Sequence, residues 1–258
     1  LNHRPRKRFG QHFLHDPGVL RRIVTALDPG PGERLVEIGP GLGALTREVL
    51  PLAGRVEVVE LDRDVIPHLR ESCAGLGELV VHQADALKFD FAALAGDGPP
   101  LRVFGNLPYN VSTPLIFHLI GQAHRIRDCL FMLQKEVVDR LAAGPGEDAY
   151  GRLGIMVQFH CRVEPLFRVG PGAFTPPPKV DSAVVRLTPH AVPPVAVNDP
   201  RRLEQVVAQA FTRRRKTLRN ALKGLVEPAA IEALGIDTGL RPENLSLEQY
   251  ARISNTLD

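Results

Sequence analysis

The chain has 258 residues, 44% of them hydrophobic and 24% charged, with a formal net charge of +3. Those proportions suit a globular protein with one sizeable domain and a small second one, and no apolar run approaches the length that spans a bilayer. Cys73, Cys129 and Cys161 are dispersed and form no CxxC pair, and the nine histidines show no ligand spacing, which argues against a disulfide framework and against a metal site.

The basic start, His3 to Arg8, runs into Phe9-Gly10-Gln11-His12. No apolar h-region follows, so a signal peptide is not expected and the cytoplasm is the expected compartment. Charge is unevenly spread. Residues 1–22 carry six Lys/Arg against one acid, residues 201–258 carry ten against seven, and residues 23–200 carry sixteen against twenty-one. Basic ends around an acidic middle suit a polyanionic partner that touches the ends.

In chain order, Asp16-Pro17 reads as an N-cap with proline at the first helical position, and Val19, Leu20, Ile23, Val24 and Leu27 recur at helical spacing. Pro29 to Gly32 breaks that helix. Leu35 to Ile38 reads as a buried strand, Leu42 to Leu50 as a helix, Val56 to Glu60 as a strand and Asp64 to Glu71 as helical. Strands follow at Leu79 to His82, Leu101 to Phe104 and Cys129 to Leu133, with helices at Thr113 to Ile120 and Gln134 to Ala143. This alternation predicts an α/β fold, a mostly parallel sheet covered on both faces. Val163 to Val169 and Ala183 to Leu187 read as a late antiparallel pair at the sheet edge. Pro189 to Pro200 reads as a linker, and a helical domain of roughly 60 residues follows, too small to stand without docking. The expected division is therefore 1–190 for the sheet domain and 191–258 for the linker and helical domain.

Glu37-Ile38-Gly39-Pro40-Gly41-Leu42-Gly43 follows the first strand of the sheet. Glycines there let the backbone pass close to a ligand, and the following helix adds a positive end. Gly39, Gly41 and Ala44 also satisfy G-x-G-x-x-A, with Glu60 about twenty residues on, so an NAD enzyme competes at this point. Two acids favour S-adenosylmethionine. Asp85, just past the third strand, can accept a hydrogen bond from an adenine amine. Glu37 can face the cationic end of a methionine moiety. Successive acids at strand ends suit a sulfonium and an ammonium and suit a pyrophosphate poorly.

Asn106-Leu107-Pro108-Tyr109 follows the fourth strand. An adenine amine is a poor nucleophile because its lone pair is delocalised into the ring. The Asn106 oxygen and a backbone carbonyl beside Pro108 can accept both N–H bonds and free that lone pair. Tyr109 can stack on a base that has left its helix, and Pro108 fixes the turn. No metal and no covalent intermediate are needed, and positioning carries the rate.

With these motifs in order, the chain resembles the ribosomal RNA adenine dimethyltransferases of the KsgA type over nearly its whole length. The markers are Arg8 to Leu14, Glu37 to Gly43, Asn106 to Tyr109 and Phe174-Thr175-Pro176-Pro177-Pro178-Lys179-Val180-Asp181-Ser182. The resemblance implies a Rossmann-like class I methyltransferase with a seven-stranded sheet and a small all-α C-terminal domain. It implies that His12, Leu14, Gly39, Glu60, Asp85 and Asn106 touch the cofactor, and that Phe174 packs on the target base opposite Tyr109. It implies dimethylation of two adjacent adenosines in a hairpin near the 3′ end of 16S rRNA, within an immature small subunit whose biogenesis the enzyme serves.

In the helical domain, Arg213, Arg214, Arg215, Lys216 and Arg219 are expected to contact RNA phosphates. On a helix, Arg215 and Arg219 share a face at i, i+4, and Arg213 and Lys216 at i, i+3, while Leu218, Leu222 and Leu225 face the core. Such contacts position a substrate without reading its sequence. A monomer acting on RNA is expected, with neither a membrane nor DNA as partner. The remaining alternatives are a dimethyltransferase of large-subunit RNA of the macrolide-resistance type, and a non-catalytic RNA-binding assembly or transcription factor. A DNA adenine methyltransferase fits the tetrapeptide less well, and the NAD reading leaves Asn106 to Tyr109 without a role.

Overall fold

A computed structural model describes residues 12–257. The basic run His3 to Arg8, and Phe9, Gly10 and Gln11 of the opening motif, lie outside the described residues. A two-residue strand β1 (Phe13–Leu14) leads into helix α1 (Pro17–Leu27). The Asp16 carboxylate accepts from the Val19 amide at 2.9 Å, and Leu20, Ile23 and Leu27 are buried on one face. Each such side chain contributes about 1.5–3 kcal/mol on burial. Then come β2 (Leu35–Ile38), α2 (Thr46–Ala53), β3 (Arg55–Glu60), α3 (Ile66–Ser72), β4 (Glu78–Gln83), α4 (Phe91–Ala95), β5 (Leu101–Asn106), α5 (Ser112–Ile120) and β6 (Ile126–Gln134).

The chain continues through α6 (Lys135–Ala142), α7 (Arg152–His160), β7 (Cys161–Val169), β8 (Phe174–Thr175) and β9 (Ser182–Pro189). The last helices are α8 (Pro200–Thr212), α9 (Leu218–Ala221), α10 (Pro228–Ala233) and α11 (Leu247–Ser254). Two units result: the described part of Leu1–Val138 with Glu164–Pro189, and Asp139–Val163 with the described part of His190–Asp258. Residues 139–163 therefore cluster with the C-terminal helices.

The first unit carries a seven-stranded sheet in the order β4-β3-β2-β5-β6-β9-β7. The pairs β3–β4, β2–β3, β2–β5 and β5–β6 are parallel, and β9 runs antiparallel to β6. The two late strands are neighbours at the edge, as expected. The sequence order reverses between β2 and β5, the switch point beyond whose carboxyl ends α/β sheets hold ligands. Gly105 lets those two strands meet there. A Cβ on it would lie 2.4 Å from the Ile38 carbonyl oxygen, and its φ is 156°.

The start of one helix is corrected, and two elements, α7 and β1, are not among those expected. Helix α2 begins at Thr46, not Leu42, because Gly41 and Gly43 have φ of 55° and 83° and hold residues 41–45 in a turn. Helix α7 has no single polar face, with Leu153 to Val157 and Phe159 all buried, so it leaves no 3.6-residue stripe to read. Strand β1 pairs antiparallel with β8, Leu14 opposite Phe174, in a small second sheet that hydropathy does not mark. In the second unit, Leu203, Val206, Val207 and Ala210 of α8 are buried, as are Leu218, Leu222 and Tyr250, whereas Leu225 is half-buried.

Candidate active site

Four functional side chains stand at the carboxyl ends of four adjacent parallel strands. Asp85 follows β4, Glu60 ends β3, Glu37 lies near the end of β2 and Asn106 ends β5. All four line one cleft, together with His12, Leu14, Gly39, Gly41 and Leu107 to Tyr109. The expected cofactor residues and the tetrapeptide are thus brought together.

Glu37 is 2% exposed, and its carboxyl accepts a 2.6 Å bond from the Thr46 hydroxyl. Burial pushes that carboxyl up to about 8; the Thr46 bond opposes the rise and the charge of Glu60 adds to it. Glu60 is also buried, which raises its carboxyl against the opposing bonds from the Asp62 and Gly41 amides, at 2.8 and 3.1 Å. Asp85 accepts from the Leu87 amide through one oxygen at 3.0 Å. The amides of the three glycines are all bonded within the protein. Gly39 donates to the Val59 carbonyl at 3.0 Å, Gly41 to Glu60 at 3.1 Å and Gly43 to the Pro40 carbonyl at 2.9 Å. None of the three is left for a phosphate, and the acids beside them suit a cationic ligand better than a pyrophosphate. A cationic ligand with a neutral nucleoside fits this donor set; a dinucleotide does not.

The tetrapeptide is held from several directions. The Asn106 side-chain amide donates to the His12 carbonyl at 3.1 Å, which turns its oxygen to the other side. The Leu107 amide donates to the Met132 carbonyl at 3.1 Å, and the Pro108 carbonyl accepts from the Val111 amide at 3.2 Å. Tyr109 accepts from the Ser112 hydroxyl through its carbonyl at 3.3 Å, and its phenol is 2.8 Å from the Ser182 hydroxyl. Two acceptors of the turn have no hydrogen bond among the described residues: the Asn106 side-chain oxygen and the Leu107 carbonyl. They match in kind the two acceptors expected of the tetrapeptide, a side-chain oxygen and a backbone carbonyl beside Pro108.

His12 also donates through Nδ1 to the Pro176 carbonyl at 2.8 Å, and its ring centroid lies 5.5 Å from that of Tyr109. Phe174 is 2% exposed, belongs to the core cluster and does not line the cleft. In this structure its ring packs with Leu14 across β1 and β8 and offers no open face to a base.

In the second unit, Arg213 to Lys216 do not lie on a helix. Helix α8 ends at Thr212, and the four residues form an exposed turn before Thr217, so the expected i, i+3 and i, i+4 stripe is replaced by a basic loop. Arg213 donates to the Asn220 carbonyl at 3.2 Å, Arg214 to the Asp148 carbonyl at 2.9 Å and Arg219 to Glu232 at 2.9 Å. The side chains of Arg215 and Lys216 have no such partner among the described residues.

Sequence reasoning missed Thr46, the Ser182 hydroxyl and the His12 carbonyl. Ser182 closes the motif that starts at Phe174, so a signal was present, but nothing in the spacing pairs it with Tyr109.

The family model described as ribosomal RNA adenine dimethylase matches residues 2–258. The chain is 59% identical to ribosomal RNA small subunit methyltransferase A of Marinobacter nauticus, covering 99% of this chain and 92% of that one. It is 60% identical to the protein of the same name from Pseudomonas aeruginosa, covering 99% and 95%. Among solved structures, a dimethyladenosine transferase from Plasmodium falciparum superposes with a TM-score of 0.79 at 28% identity, covering 94% and 96%. The 23S rRNA methyltransferase ErmE does so with 0.75 at 27% identity, covering 95% and 99%. The chain belongs to the ribosomal RNA adenine dimethylase family.

Proposed function

We propose that this protein methylates the N6 amines of two adjacent adenosines in a hairpin near the 3′ end of 16S rRNA, two methyl groups on each, within an immature small ribosomal subunit. The observation that carries the reading is the pair of open acceptors, Asn106 Oδ1 and the Leu107 carbonyl, in a turn whose Leu107 amide, Pro108 and Tyr109 carbonyls and Tyr109 phenol are bonded. S-adenosylmethionine, the methyl donor, supplies an electrophilic methyl carbon: the nitrogen lone pair bonds to it, the carbon–sulfur bond breaks towards sulfur, and the nitrogen gives up one proton. The residues that would hold the donor are Glu37 for its ammonium, Glu60 for its ribose hydroxyls and Asp85 for its adenine amine, with Gly39, Gly41, His12 and Leu14 as walls. Asn106 and Leu107 orient the target amine, Pro108 keeps their turn in shape, and Tyr109 stacks on the base. Preorganisation of this kind supplies rate without metal or covalent chemistry.

The division of labour follows the chain. The 1–190 region carries the chemistry, and the 191–258 region carries phosphate contacts at the basic loop, chiefly Arg215 and Lys216, with Arg213, Arg214 and Arg219 available once their present partners are exchanged. Phe174 enters as support for β1, and serves as a second wall for the base only if its ring leaves the core. We read the protein as a cytoplasmic monomer; among the described residues no helix is long and apolar enough to cross a membrane.

The test is incubation with labelled S-adenosylmethionine and unmethylated small subunits, large subunits or DNA, followed by mass spectrometry of the nucleosides. Dimethyladenosine in small-subunit RNA alone is the expected result. Label in large-subunit RNA or DNA would overturn the reading, and no label at all would favour a non-catalytic RNA-binding role.

A further inference from the structure

Ser182 is fully buried at the first position of β9 and touches the site through one bond, 2.8 Å from its hydroxyl to the Tyr109 phenol. Its backbone is fixed by the ladder to β6, where it pairs with Gln134. The Tyr109 ring is thereby tied at its far end to the sheet, while the Ser112 hydroxyl holds its carbonyl and His12 lies beside the ring. With its phenol committed to Ser182, Tyr109 acts on a base through its ring face.

Chemistry gives this tether unequal weight in successive rounds. An unmodified adenine amine offers two N–H groups to two acceptors, Asn106 Oδ1 and the Leu107 carbonyl. Each transfer replaces one N–H by N–CH3. The monomethylated amine therefore enters the second round with a single N–H, and one acceptor loses its partner. Orientation of the nitrogen then depends more heavily on stacking, and stacking depends on where the ring is held.

We propose that Ser182 is a positioning residue that fixes the Tyr109 ring, and that the second methyl transfer relies on it more than the first does. This rests on the adenine dimethylation proposed above. The experiment compares Ser182→Ala, Tyr109→Phe and the double variant with the unaltered protein, using unmethylated small subunits and S-adenosylmethionine and measuring monomethyl- and dimethyladenosine over time. Each single variant removes the same bond and leaves the ring. Each is expected to raise the ratio of monomethyl to dimethyl product about fivefold, the rate equivalent of one hydrogen bond. The double variant is expected to be no worse than the more affected single one.

Ser182→Thr keeps a hydroxyl and should restore the ratio. Should Ser182→Ala fail to fold, Tyr109→Phe and Ser182→Thr still decide the matter. An unchanged product ratio, with both rounds slowed equally, would overturn the proposal, as would independent, additive effects of the two substitutions. Absence of dimethyladenosine with the unaltered protein would instead overturn the functional reading on which the proposal stands.

Discussion

The two halves of the cleft are built differently. On the donor side, each acid is held by groups no more than 19 residues away: Glu37 by Thr46, Glu60 by Asp62 and by Gly41 of the preceding unit, Asp85 by Leu87. On the acceptor side, the holding groups come from far along the chain. Asn106 is held by His12, 94 residues away, and Tyr109 by Ser182, 73 residues away. The three acids of the donor half are therefore held within neighbouring strand-turn-helix units. The acceptor half is complete only when the first described residues and the start of β9 have both been brought to the end of β5. A single substitution on the acceptor side should misplace the amine without disturbing the donor pocket, and the reverse should hold for the acids.

The largest effect tests that separation directly. Asn106→Ala removes the side-chain acceptor that we propose orients the amine. It should lower the single-turnover rate by about 100-fold or more, while calorimetric affinity for S-adenosylmethionine falls only a few-fold. Equal losses in both would make Asn106 chiefly a donor contact and break the comparison.

Glu37 gives the corresponding test on the donor side. Its carboxyl, raised to about 8 by burial, is largely protonated at neutral pH in the free protein, whereas a bound ammonium needs it ionised. Donor affinity should therefore climb as pH rises towards 8, by up to about tenfold per pH unit, with a proton released on binding. The sign for stability is opposite. Between the ordinary carboxylate range and about 8, the folded state holds a proton that the unfolded state has lost. Ligand-free stability attributable to this group therefore falls as pH rises through that window. Glu37→Gln should flatten both trends and weaken donor binding by about 10- to 100-fold. A pH-independent affinity in the unaltered protein would show that the ammonium is held elsewhere.

The basic loop belongs to neither half. Replacing Arg215 and Lys216 by alanine should reduce the slope of subunit affinity against salt by about two, roughly one per lost phosphate contact. The donor affinity should stay as it was. An unchanged salt slope would remove these residues from the RNA interface. The smallest effect is expected at Phe174. Phe174→Leu keeps an apolar side chain in a buried position, so stability should drop by about 1 kcal/mol with little change in turnover. A large loss of turnover at unchanged stability would instead make Phe174 a wall for the base.

The sheet was largely legible because its strands are short apolar runs between turn residues, and their order along the chain implies a parallel fold. Reading faltered where the local code is silent. Helix α7 is buried on all sides and shows no stripe; the turn at residues 41–45 depends on left-handed glycines; and the basic run at 213–216 has helical composition but sits where α8 has ended. The burial of Phe174 is of the same kind, since an aromatic in a proline-rich motif does not reveal whether it faces a cleft or a core.

What the amino-acid sequence determined by itself was the order of the strands and the set of motif residues that line one cleft, Glu37, Gly39, Gly41, Glu60, Asp85 and Asn106 to Tyr109. Those motifs follow short apolar runs at regular intervals, so their placement at neighbouring strand ends follows from the alternation of strands and helices. What only the tertiary structure decided was which atoms of that tetrapeptide remain available. His12 takes the Asn106 amide, Met132 takes the Leu107 amide and Ser182 takes the Tyr109 phenol, leaving two acceptors for an amine. Those partners are distant in the chain and carry no periodic signal, because a single hydrogen bond between remote segments constrains geometry without imposing a pattern on the residues between them.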